Sequence, residues 1–207
     1  MSKSDKKNGR KDVLPNPTQA GMPDGTTSKS VPGMTDVQTL RDRARKSIDD
    51  GAVTDSYLLD RKVVCRLLNE ALATEWVCVL RYYRHYFMAS GMLADSVKAE
   101  FLEHAQQELA HANLLSERIV QLGGAPDLNP DTLTERAHAE YKPGHDLRDM
   151  VMENLIAERI AIDSYREMIN FVGDRDTTTK RILMQILAQE EEHADDMADL
   201  LDGWVGK

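Results

Sequence analysis

Residues 105–115 read Ala-Gln-Gln-Glu-Leu-Ala-His-Ala-Asn-Leu-Leu, and residues 187–197 read Leu-Ala-Gln-Glu-Glu-Glu-His-Ala-Asp-Asp-Met. Each stretch carries a Glu-x-x-His step, Glu108 to His111 and Glu190 to His193. Three residues along a helix bring two side chains to the same side. Both steps sit among apolar residues at helical spacing: Phe101, Ala105, Ala112, Leu115, Ile119 and Leu122 around the first, and Leu183, Ile186, Leu187, Ala194, Met197 and Leu201 around the second. An acid and a histidine therefore stand where the period of the helix calls for core.

Working outward, the same period continues in two further stretches. One carries Val64, Leu68, Leu72, Val79, Tyr83 and Tyr86, and the other carries Val151, Leu155, Ile162, Tyr165, Ile169 and Val172. The spacing predicts four long helices, over about 55–90, 95–122, 146–172 and 177–201, punctuated by Gly91, Gly123-Gly124 and Gly173. Short connections make the first two and the last two antiparallel hairpins. The stretch from Gly123 to His145, with Pro126, Pro130 and Pro143, is long enough to run the length of a bundle of about 40 Å. The fold class is all-α, a four-helix bundle with one long crossover. Aromatic residues at 5% argue against a β-sandwich or barrel.

Each of the four stripes is broken by one glutamate: Glu75, Glu108, Glu158 and Glu190. Four carboxylates facing one core repel, and each costs several kcal/mol to desolvate, so a positive group has to lie among them. Together with His111 and His193 they make a ligand set for a pair of divalent metals. Oxygen and imidazole donors suit iron or manganese rather than a thiolate-held zinc. Glu70, Glu100, Glu103, Glu117, Glu191, Glu192, Asp195, Asp196 and Asp199 read as solvated faces, some of which could line an ion path. His104, His138 and His145 have no partnered spacing and read as surface groups.

The net charge of −9 is unevenly distributed. Residues 1–34 carry +3, four prolines and few apolar groups, and are expected to be a disordered basic tail. The capping-box pattern Thr35-Asp36-Val37-Gln38 predicts a short amphipathic helix to about Asp50, with Val37, Leu40, Ala44 and Ile48 on one face. The expected divisions are thus a tail over 1–34, a short helix and linker over 35–54, and a bundle over 55–207. An acidic body argues against nucleic-acid binding over the whole surface. Cys65 and Cys78 stand thirteen residues apart on one helix, about 20 Å, too far for a disulfide. Free thiols, no apolar run of membrane length and no export signal predict a cytoplasmic protein, with nucleoid association open.

Over residues 55–201 the sequence resembles the ferritin-like superfamily, and within it the bacterioferritin type of di-iron site. Leu68-Asn69-x-x-Leu72-x-x-Glu75 is similar to that family's first-helix motif, and Tyr82 and His85 match positions where it has a tyrosine and a histidine. The resemblance implies terminal ligation by Glu75 with His111 and by Glu158 with His193, and bridging of two irons by Glu108 and Glu190. It implies for Tyr82 a redox-capable phenol near the site, the alternative being a hydrogen-bonded core tyrosine. Cys78 is either near the site or simply a small core residue. Leu109 stands where bacterioferritins bring a haem methionine, so no haem is expected. Only fourteen residues follow His193, which leaves no room for the family's fifth helix. The basic N-terminus resembles that of Dps proteins, the DNA-protecting mini-ferritins.

The expected activity is that of a ferroxidase and iron store, oxidising two Fe(II) per subunit with O2 or H2O2 and holding Fe(III) in a closed homo-oligomeric shell that protects against oxidative stress. Twelve subunits are favoured over twenty-four. Lys3, Lys6, Lys7, Arg10 and Lys11 are the candidate DNA contacts, the alternative being a solubilising extension. The competing reading is a di-iron or di-manganese oxidase, peroxidase or catalase acting on a small substrate without storage.

Overall fold

The computed structural model describes residues 31–92 and 94–205. Lys3, Lys6, Lys7, Arg10 and Lys11 lie outside the described residues. Among the described residues there are helices and no strand: α1 (Val37–Ala44), α2 (Arg61–Met88), α3 (Ala94–Gln121), α4 (Leu133–Arg136), α5 (Leu147–Val172) and α6 (Thr177–Val205). None of these is long and apolar enough to cross a membrane. At ~1.5 Å per residue, the 28 residues of α2 span about 42 Å.

Aspartates start three of the four long helices, α2, α5 and α6. Asp60, Asp146 and Asp176 accept from the backbone N–H of Lys62, Asp149 and Thr179 at 2.8, 2.9 and 2.9 Å, satisfying donors that the first turn leaves free. At the end of α3 the two glycines do different things. Gly123 takes φ +79°, in the left-handed region, while a Cβ on Gly124 would lie 2.7 Å from Cys65 Sγ.

The core falls into two apolar clusters along the bundle axis. Leu68, Leu72, Leu115, Ile119, Leu183 and Ile186 belong to one. Phe101, Ala105, Val151 and Met197 belong to the other. The early part of α2 meets the late part of α3, and the late part of α5 meets the early part of α6. Each pair is therefore an antiparallel hairpin, and α2 runs parallel to α6. The break between the clusters falls in the middle of every helix, at Glu75, Glu108, Glu158 and Glu190.

The crossover is tied to α2 along its length. Asn69 donates to Ala125 O (3.2 Å) and accepts from Asp127 N (2.7 Å). Thr74 Oγ1 accepts from His138 N (2.9 Å), Arg81 donates to Glu140 O (3.2 Å), and His85 Nε2 lies 3.1 Å from Lys142 O. The pairs advance together, so the crossover runs parallel to α2 and brings the start of α5 to the end of the bundle where α2 finishes.

Four details differ from the sequence-based expectation. The short helix ends at Ala44 rather than Asp50, with Asp36 as its cap through Thr39 N (2.9 Å). Its apolar face is uncovered among the described residues: Val37, Leu40 and Ile48 are exposed, and α1 buries none of its side chains. The first long helix starts at Arg61, and residues 53–59 instead lay Val53, Tyr57 and Leu59 against the core. On α2, Tyr82 and His85 point inward and Tyr83 and Tyr86 are only half-buried, since the apolar stripe drifts around the helix over its last turns.

Asp176 ties three segments at one end. Besides capping α6, it accepts two bonds from the Arg118 guanidinium (both 2.9 Å) and one from the Tyr57 hydroxyl (2.9 Å). Asp176→Ala leaves the Arg118 charge without its partner and should destabilise the chain by about 3 kcal/mol. Urea denaturation at fixed protein concentration checks this, and Asp176→Asn, which keeps the cap, should cost less.

Candidate metal centre

The middle of the bundle gathers six polar side chains into an apolar core, one glutamate from each of α2 and α5 and a Glu-x-x-His step from each of α3 and α6. Glu75, Glu108, His111, Glu158, Glu190 and His193 are each at most 1% exposed, so none of these groups is solvated. His111 Nδ1 lies 3.2 Å from Glu75, 3.5 Å from Glu108 and 3.1 Å from Glu190. His193 Nδ1 lies 3.5 Å from Glu108, 3.8 Å from Glu158 and 3.5 Å from Glu190. All six residues singled out from the sequence are thus brought together.

They form two overlapping groups. Glu75, Glu108, His111 and Glu190 have donor atoms within 4.8 Å of one another, and so do Glu108, Glu158, Glu190 and His193. Glu108 and Glu190 belong to both, since each carboxylate turns one oxygen toward each histidine. Glu108 Oε1, Glu158 Oε2, both oxygens of Glu190 and His193 Nδ1 are buried with no hydrogen-bond partner. Buried polar atoms without partners are costly, and here they converge on one space. Hard oxygen and imidazole donors facing a shared space fit divalent cations.

Without metal, protons supply the missing positive charge. Burial opposes protonation of His193, but Glu108, Glu158 and Glu190 push it up to about 12. His111 is raised in the same way against burial, by Glu108, Glu190 and Glu75. Burial lifts Glu75 to about 8, reinforced by Glu108, and lifts Glu190 to about 7, reinforced by Glu75. Burial would also raise Glu158, yet His193 holds it at about 2.

The surroundings repeat by an approximate two-fold relation between the hairpins. Seven residues after Glu75 on α2 stands Tyr82, whose hydroxyl donates to Glu158 on α5 at 2.5 Å. Seven residues after Glu158 stands Tyr165, whose hydroxyl donates back to Glu75. One residue before each Glu-x-x-His step is a glutamine. Gln189 Oε1 accepts from His111 Nε2 (2.9 Å) and Gln107 Oε1 accepts from His193 Nε2 (2.6 Å). A glutamine oxygen on Nε2 keeps a hydrogen there and turns Nδ1 inward, so that Nδ1 is the nitrogen that would give up its proton and present a lone pair to a cation.

Several of these residues lie outside the six that the helical stripes single out. Tyr165 stands at an apolar position of its stripe, although its hydroxyl belongs to the centre. The glutamines carried a visible signal, since both steps read Gln-Glu-x-x-His. Arg81, fully buried, had none: it donates to Asn154 Oδ1 (2.8 Å), approaches Cys78 Sγ (3.5 Å) and places a positive charge beside the acidic middle. Cys78 is buried there, with its thiol pushed well up by burial. His85 is buried but bonds Asn154 and the crossover, outside the six. Leu109 is half-buried. His138 and His145 are exposed, as expected, but His104 is not a surface group. It is 2% exposed and stacks on His193 with ring centroids 4.0 Å apart, because α6 crosses α3 above it.

Two antiparallel hairpins joined by a long crossover, with a carboxylate and histidine waist shared between them, are the arrangement of the ferritin type of bundle. The chain belongs to the ferritin-like domain family, whose model matches residues 65–204. It is 32% identical over 143 residues to a nutrient stress-induced DNA-binding protein of Synechococcus, covering 67% of this chain and 80% of that relative. It is 30% identical over 137 residues to a bacterioferritin of Mycobacterium avium, covering 64% and 79%. Among solved structures, a dodecameric thioferritin described as the bacterioferritin-related protein of Bacteroides fragilis matches with TM-score 0.69 and 37% identity, over 71% of this chain and 89% of that one. Dps from Thermosynechococcus elongatus, at 19% identity and TM-score 0.65 over 68% and 90%, shares the fold.

If the glutamines set the inward nitrogen, Gln107→Leu and Gln189→Leu should each weaken divalent-metal binding by about 10–100-fold. Co(II) titration followed by visible absorption measures this, with an unchanged helical circular dichroism spectrum as control.

Proposed function

We propose that the chain is a ferroxidase and iron store. Two Fe(II) ions enter the waist of each subunit as substrate. Glu75 and His111 hold one, Glu158 and His193 hold the other, and Glu108 and Glu190 bridge them. The observation that carries this reading is the convergence of unpartnered buried oxygens on a space shared by two histidine nitrogens. Manganese suits the same donors. Tyr82 and Tyr165 orient the outer carboxylates through their hydroxyls, and Tyr82 is the candidate redox phenol. Each Fe(II) gives up one electron. O2 takes up two electrons and two protons to become H2O2, and H2O2 takes up the same to become two waters. The Fe(III) passes to the interior of a shell, which gives protection against oxidative stress. Leu109 offers no axial sulfur, so the reading is haem-free.

The uncovered faces support assembly into a shell. Val37 and Leu40 on α1, and Phe87, Met88 and Met92 where α2 turns toward α3, are exposed apolar side chains. A store must close, and the dodecameric relative is the precedent for twelve chains. Free Cys65 and Cys78 fit a reducing cytoplasm. The decisive experiment pairs size-exclusion light scattering with anaerobic Fe(II) loading and oxidant addition on one sample. Twelve chains of 23.3 kDa give about 280 kDa, and twice that mass would mean twenty-four. Glu108→Ala removes a bridge and should drop the initial oxidation rate to near that of Fe(II) in buffer, with shell mass unchanged. An undiminished rate would overturn the assignment.

The basic segment with Lys3, Lys6, Lys7, Arg10 and Lys11 is proposed as a sequence-independent DNA contact. One similar protein is named for DNA binding, and many copies on one shell would add weak phosphate contacts into avidity. A gel-shift series with plasmid DNA should show retardation by the full chain, lost on raising salt, and none by a chain starting at Thr35. Equal behaviour of the two chains would exclude the segment as a DNA arm.

A further inference from the structure

The approximate two-fold relation between the halves fails where α3 and α6 meet beside the histidines. Around His111, the positions four and eight residues before the glutamate of the other step, and three after the histidine, are Ile186, Ile182 and Leu114. Ile186 is buried in an apolar cluster and Ile182 packs against it. The corresponding positions around His193 are His104, Glu100 and Asp196. An apolar wall on one side is thus matched by a polar trio on the other, on α3 and α6.

The trio has the geometry of a cation site. Glu100 and His104 lie one helical turn apart, and His104 Nε2 stands 3.9 Å from Glu100 Oε2 and 3.3 Å from Asp196 Oδ2. The three donor atoms lie within 4.8 Å of one another. Tyr82 has one hydroxyl proton and gives it to Glu158 at 2.5 Å, so its oxygen is left to accept from His104 Nδ1, 3.2 Å away. With its hydrogen on Nδ1, the imidazole aims the Nε2 lone pair at two carboxylates. Three electron-rich atoms then face one another. Among the described residues, neither carboxylate has a Lys or Arg nitrogen within 4.0 Å. A histidine whose other nitrogen is held by a hydrogen bond is the usual form of a metal-ligating histidine. The carboxylates are 40% and 46% exposed, open to ions from solvent, while the buried His104 ring stacks on His193.

We propose that Glu100, His104 and Asp196 form a third divalent-cation site, at the bundle surface against the His193 half of the buried pair. Its role as a staging position for ions entering that pair rests on the proposed ferroxidase function, but its existence does not. The ion neutralises both carboxylates and takes the Nε2 lone pair, and water completes its shell. The pair then exchanges ions through the His193 half, because the other half ends in isoleucine and leucine.

Equilibrium dialysis of the assembled protein against Zn(II), which does not mineralise by oxidation, tests this. A Glu100→Gln, Asp196→Asn double variant should bind one zinc fewer per chain than the wild type, and a Glu108→Ala, Glu190→Ala variant should keep that zinc. Anomalous scattering from zinc-soaked wild-type crystals should place a peak between Glu100, His104 and Asp196. An unchanged count in the first variant, with no peak there, overturns the third site whatever happens at the pair. Loss of one zinc in the first variant and none in the second supports the third site and overturns the paired centre instead. Both single-residue-type exchanges in the first variant are at half-exposed positions, and thermal melting verifies that it is folded.

Discussion

Four carboxylates held without water in the middle of a small bundle are the condition to which everything else in this chain is adjusted. Each alone would cost several kcal/mol to bury, and together they repel. The two apolar clusters on either side stabilise a waist that would not form by itself, and charge is returned to it from three directions. His111 and His193 take up protons, Arg81 brings a buried guanidinium, and the tyrosines donate hydroxyl hydrogens. The space left at the centre is bounded by atoms that no protein group satisfies.

The supporting bonds cross between hairpins rather than staying within them. Tyr82 on α2 serves Glu158 on α5, and Tyr165 on α5 serves Glu75 on α2. Gln107 on α3 serves His193 on α6, and Gln189 on α6 serves His111 on α3. Each hairpin therefore orients the donors of the other, and a shift of one against the other would disturb both groups together. His104 is the departure from this reciprocity, and it makes the two halves chemically unequal.

Much of the architecture was legible in the sequence because the helical period is strong and its interruptions are few. Four stripes, each broken once by glutamate, are hard to read as anything but a bundle with a polar middle, and the two histidines at a three-residue step named its members. What could not be read depends on neighbours from distant segments. His104 has no local signal, since its burial comes from α6 and its partners are Tyr82 and Asp196. Arg81 and Asn154 look like ordinary helix residues until the crossover is laid beside α2. The apolar face of α1 was visible, but periodicity says only that a face wants cover and not what covers it. Glu100 and Asp196 carried the right composition for a solvated surface, and only the packing of α3 on α6 sets them around one imidazole.

The division of donors between hairpins also bears on the order in which the chain can assemble. The α2–α3 hairpin holds Glu75, Glu108 and His111, and the α5–α6 hairpin holds Glu158, Glu190 and His193, so each carries three members of a four-member group and lacks the fourth. Both hairpins are built from contacts close in sequence and can form early and fast, whereas docking them must close the loop through the crossover. No complete group exists before that docking. A cation that requires all four donors therefore discriminates the docked chain from every earlier state, and its capture acts as a latch on the last and slowest step of folding rather than as a seed for the first.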